Sequence, residues 1–132
     1  MNQTDRLIQQ SLSEDPRVVF AYFHGSALSG DETARDIDIA VYALERLNPY
    51  ELSADLKIAL HRKTGLAPDV FDVQVINDIL EEGDLFGLLF LKNMFAHNAL
   101  LVDKAPEIRT DFIERYGMKY RECEGLIGEV LS

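Results

Sequence analysis

Residues 24–42 read HGSALSGDETARDIDIAVY, and the fold turns on how the aspartates at 36 and 38 relate to the run they lead into. Residues 36–42 (DIDIAVY) alternate in polarity as a β-strand does. Positions two apart on a strand project from one face, so Asp36 and Asp38 are expected side by side, a few ångströms apart. Like charges held that close repel, and the repulsion is relieved by a raised pKa or by a cation. Hard carboxylate oxygens suit Mg²⁺ or Mn²⁺ rather than zinc. Taken alone, the pair also fits an exposed strand start or turn-capping aspartates. An EF-hand calcium loop does not fit, because DETARDID lacks the closing glutamate.

Upstream, Val18 to Phe23 is a compact β-branched and aromatic run, which predicts a buried strand that turns at Gly25-Ser26. The missing Cβ of Gly25 lets an anion approach the backbone, and the Ser26 hydroxyl and the N–H groups after it are hydrogen-bond donors. That is a seat for a phosphate, although Gly-Ser is also common turn punctuation. Between the two strands, Gly30 and Asp31 are turn signals, and a brief helical turn is expected to begin at Ser26. Residues 69–76 (DVFDVQVI) predict a third strand. If it lies beside the second, Asp72 brings a third carboxylate to the same edge, enough to organise two divalent ions.

The remaining elements are helical: 4–13, from 48 or 49 to 63 with Gly65 as its stop, a short helix over 77–82, an apolar helix over 85–97 expected to be buried against the sheet, and 106–131. Residues 99–102 predict a short strand. No internal repeat or linker is visible, so the reading is a single domain, 1–132, of the α/β (α+β) class: a small mixed β-sheet covered by helices.

Composition narrows the function. Thirteen Lys and Arg against 23 Asp and Glu give a formal charge of -10, which repels a phosphate backbone and argues against direct nucleic-acid binding. An acidic surface suits a basic protein partner. The one cysteine, Cys123, cannot form an internal disulfide or a thiolate-rich zinc site. The first residues have no basic start followed by an apolar block, and no run approaches a membrane span, so a cytoplasmic location is the expectation.

Gly25-Ser26, nine residues, then Asp36-Ile37-Asp38, with apolar strands on both sides, resembles the signature of the minimal nucleotidyltransferases of the DNA polymerase β-like superfamily. Residues 72–77 (DVQVIN) look like that family's third-carboxylate strand, and ALLVDKAPEIRTDFIERY looks like its terminal strand and helix. The resemblance implies a nucleotidyltransferase fold in which Gly25 and Ser26 hold the triphosphate of ATP. It implies that Asp36 and Asp38 bind Mg²⁺, two ions in all, and that Asp72 completes the metal site or takes the acceptor's proton, with Asp69 as its fallback. Two departures stand out: the loop is about one residue shorter than in many members, and Leu28-Ser29-Gly30 replaces a common Ala-Arg-Gly, leaving Arg35 as the stand-in cation.

Many such small chains resemble the MNT antitoxin of a two-gene system whose partner is a helical HEPN ribonuclease toxin. That resemblance implies AMP transfer to a tyrosine hydroxyl of the toxin. The alternatives are an antitoxin that acts by occlusion without turnover, and an enzyme whose acceptor is a small molecule such as an antibiotic. His24 is read as a structural neighbour of the site, His61 and His97 as favourable groups at helix C-termini. Tyr116, Tyr120 and Cys123 are read as a packed helical stripe rather than as reactive groups.

Overall fold

The structure is a computed structural model that describes residues 2–25, 37–81 and 84–131. Among them are four helices, α1 (Gln3–Glu14), α2 (Pro49–Thr64), α3 (Leu85–His97) and α4 (Pro106–Leu131), and four strands, β1 (Val18–Gly25), β2 (Ile37–Ala43), β3 (Phe71–Val75) and β4 (Leu100–Asp103). The sheet order is β3-β2-β1-β4. β1 is antiparallel to β2 and β4, and β2 is parallel to β3, so the sheet is mixed. The fold class expected from the sequence is the one found.

Local chemistry sets the element ends. Asn48 accepts from the N–H groups of Tyr50 and Glu51 at the start of α2, and Pro49 occupies the first helical position, where a missing N–H costs nothing. Gly65 closes the same helix at φ 79°, a left-handed conformation that glycine adopts without strain. Two expectations are corrected. The third strand begins at Phe71 rather than Asp69, because Pro68 opens a 3-10 turn over Pro68–Val70. Residues 77–81 form turns instead of a short helix, with Ile79 N–H bonded to the Ile76 carbonyl and Glu81 N–H to that of Asp78.

Apolar residues cover both sheet faces. On one face Ile8 and Leu12 of α1 and Leu52, Leu56 and Leu60 of α2 pack against Phe23, Ile37, Ile39, Phe71 and Val73. On the other, Leu88, Leu91 and Met94 of α3 and Phe112 of α4 pack against Phe20, Tyr22 and Ala40. The apolar α3 is not enclosed all round, since Phe86 is 77% exposed. Outer strand β3 is tied at its middle and just past its end. Ser53 Oγ donates to the Val73 carbonyl at 2.8 Å. Beyond the strand, the Asn77 side chain exchanges two hydrogen bonds with the Ala43 backbone, at 2.7 and 2.9 Å.

Two polar groups inside this packing differ in cost. Asp15 accepts from the Arg17 guanidinium at 2.8 and 3.0 Å, which holds its carboxyl below the usual range. Asp5 is 2% exposed, with Oδ1 lacking a hydrogen-bond partner, and burial pushes its carboxyl up. A carboxyl raised in the folded state stabilises the fold fully below its unfolded pKa and loses that contribution as pH rises through the folded pKa. Asp5→Asn is therefore expected to stabilise the protein at neutral pH and to lose that advantage in acid, as read by urea titrations at several pH values. Phe112→Ala, which empties the centre of the second core, should cost about 3–5 kcal/mol in the same assay.

Candidate functional site

The alternation of β2 and β3 decides which side chains meet. Ile37 and Ile39 point into the α1–α2 core and Ala40 into the α3–α4 core, so Asp38 projects on the α3–α4 side. Phe71 and Val73 flank Asp72 in the same way, and Tyr22 on β1 assigns His24 to that side. Register completes the geometry. His24 faces Asp38 across the antiparallel β1–β2 pair, and Asp38 is level with Asp72 across the parallel β2–β3 pair. Neighbouring strands are about 4.8 Å apart, so the three side chains form one row across the sheet end. Asp38 is half-buried and Asp72 exposed.

Gly25 is the last residue of β1 and pairs with Ile37; the turn expected after it lies outside the described residues. Ser26, Asp36, Arg35, the Leu28-Ser29-Gly30 segment and the turn at Gly30-Asp31 lie outside the described residues. Asp69 is exposed in the 3-10 turn before β3, not on the strand that carries Asp72. Asp38 and Asp72 supply adjacent hard oxygen donors, the chemistry a divalent ion of the Mg²⁺ type takes. Among the described residues they are not joined by a third donor at coordinating distance.

The row has a fourth member that the sequence reading set aside. His97, the last residue of α3, places its ring 4.4 Å from that of His24, at 87°. Asn98 ends α3 in the left-handed region, and the Phe23 N–H donates to the Ala99 carbonyl, which locks the helix end to β1. By contrast His61 sits in the last turn of α2, with Nδ1 2.9 Å from the Leu66 carbonyl, remote from the row in sequence and role. Tyr116 packs on Phe95 and Tyr120, with ring centroids 5.0 and 5.9 Å apart. Burial, and then the neighbouring Tyr120, push the Tyr116 phenol up to about 12, which makes it a poor nucleophile.

Two residues beyond Asp72 on the same face, Gln74 lines a cavity of about 480 Å³ shared with Tyr42, Arg46, Asn77 and Arg115. It opens at the C-terminal end of β2, whereas Asp38 stands near the N-terminal end. No helix among the described residues is long and apolar enough to cross a membrane.

Comparison with known proteins gives one finding. Residues 6–107, more than half of the chain, match the family model described as Polymerase beta, Nucleotidyltransferase. Neither a curated protein nor a solved structure matches the chain. Asp72 is exposed, so its charge can be removed without disturbing the core. Asp72→Asn should leave the melting temperature nearly unchanged while weakening Mn²⁺ binding measured by calorimetry, and Gln74→Ala should change neither.

Proposed function

The chain belongs to the polymerase beta nucleotidyltransferase family, and on that premise we propose a Mg²⁺-dependent antitoxin that transfers AMP from ATP to a tyrosine hydroxyl of a partner HEPN-type ribonuclease. The observation that carries the chemistry is the register of Asp38 with Asp72 at an open sheet edge. Two acidic side chains, one on each of two paired strands, lie on the same sheet face near the Gly25 end of β1.

In this reading Gly25 and Ser26 would hold the triphosphate, and Asp36, Asp38 and Asp72 would hold the divalent ions. A bound divalent ion supplies charge neutralisation of the triphosphate and of the leaving pyrophosphate. Asp72, the more exposed acid, stands on the outer strand where an acceptor arrives, and takes the proton from the tyrosine hydroxyl. The tyrosine oxygen then forms a bond to the α-phosphorus, the bond from that phosphorus to the bridging oxygen breaks, and pyrophosphate leaves with the electron pair. The acceptor in this reading is a tyrosine of the partner, and Tyr116 of this chain is packed against Phe95 and Tyr120. The charge of -10 supports docking to a basic ribonuclease.

A second reading, in which the acceptor is a small molecule, draws on the cavity beside Gln74, whose volume lies in the range of small-ligand sites. Occlusion without turnover is the third. ATP labelled on its α-phosphate separates them. Label is expected on the partner toxin, Asp72→Asn should slow labelling roughly 10²- to 10⁴-fold, and Asp38→Asn with Asp72→Asn should abolish it. Label on a drug-like acceptor instead would favour the second reading, and full neutralisation of the toxin by the unlabelling double variant would favour the third.

A further inference from the structure

The α3–α4 side of β1 carries a ladder of ring pairs. Phe20 meets Phe112 with ring centroids 5.9 Å apart, Tyr22 meets Phe95 at 5.2 Å, and His24 meets His97 at 4.4 Å. All three rungs are edge-to-face. The inner rungs use carbon rings or a phenol, which serve a buried contact. The last rung, where β1 comes level with Asp38, changes to two imidazoles. Packing alone does not ask for that change. His24 is half-buried and His97 exposed, so the rung has access to the space in front of the acids.

Each neutral imidazole carries one N–H donor, and a ring nitrogen that donates is a contact for a phosphate oxygen. His24 directly precedes Gly25-Ser26 in the sequence, and Leu28-Ser29-Gly30 follows, with the nearest arginine in that segment at Arg35. A polyphosphate whose metal-binding oxygens lie over Asp38 and Asp72 would extend its remaining oxygens toward either end of the row. At one end is the outer strand β3, where the acceptor enters. At the other is the His24–His97 rung.

We propose that His24 donates a hydrogen bond to the β- and γ-phosphates of the nucleotide and to the departing pyrophosphate, and that His97 is a positioning residue that fixes the His24 ring. The proposal rests on the nucleotidyl-transfer reading of this site. It divides the row by task, with acids toward the acceptor and imidazoles toward the leaving group.

The test uses ring-conserving variants, so that packing and donation separate. His24→Phe keeps the rung but removes the donor, and His24→Gln keeps a donor without the ring. With the full-length protein, His24→Phe is expected to raise KM for ATP and the inhibition constant of inorganic pyrophosphate about tenfold, the loss of one charge-assisted hydrogen bond, with kcat and melting temperature little changed. His24→Gln should recover most of the affinity, and His97→Phe should give a smaller change of the same kind. Wild-type constants in His24→Phe would overturn the proposal. Calorimetric titration with magnesium pyrophosphate reads the same contact without turnover. If the wild type labels no acceptor, the transfer reading fails. This assignment then stands if pyrophosphate binds and His24→Phe weakens it, and falls if pyrophosphate does not bind or binds both proteins alike.

Discussion

The parallel pairing of β2 with β3 is the constraint on which the rest depends. Two strands that run the same way cannot be joined by a tight turn. The chain must leave the sheet after Ala43, cross over through the sixteen residues of α2 and return at Phe71. The crossover supplies Leu52, Leu56 and Leu60 to one core, which is why that face is sealed. It also sets Asp72 level with Asp38, because in a parallel pair the two strands start at the same sheet end. A hairpin return would have placed the start of β3 at the opposite end, far from Asp38.

Central strand β2 carries an unusual burden. Its burial is nearly complete, with Ile37, Ile39, Ala40, Val41 and Ala43 all inside, yet it admits a half-buried carboxylate at its second residue. A charge there is tolerated because the α3–α4 layer ends short of it: α3 finishes at His97. The helix layer thus acts as a cover cut to length, closing over Tyr22 and Ala40 and stopping at the row.

Much of this was legible in the sequence because it follows from short periods. Two-residue alternation in DIDIAVY and the apolar run DVFDVQVI marked the two strands that carry Asp38 and Asp72, whose meeting still depended on the strands being neighbours. Caps and stops such as Asn48, Gly65 and Pro106 marked helix ends to within a residue or two. What was not legible depends on longer-range facts. The pairing of His24 with His97 joins residues far apart in the chain and requires the direction of α3 across the sheet, which no local pattern encodes. Pro68 was read as a boundary of the strand, while in the fold it also starts a turn that removes Asp69 and Val70 from the ladder. Residues 77–81 were a candidate short helix, but Asn77 and Asp78 favour turns, and the Asn77 side chain is held by the Ala43 backbone while the segment closes turns. Ser26 and Asp36, two of the five residues of the expected site, lie outside the described residues.

The Asn77 side chain acts at a distance from the chemistry. By gripping both the N–H and the carbonyl of Ala43, it behaves as one more ladder step beyond the last true pair. Together with the Ser53 contact and the burial of Phe71 and Val73, it opposes a slide of the five-residue outer strand along its neighbour, since a slide of one position would turn Phe71 and Val73 outward and Asp72 into the oily layer. The amide is therefore a registration pin: an uncharged side chain at the far end of the strand helps to set on which side of the molecule the outer acid comes to rest.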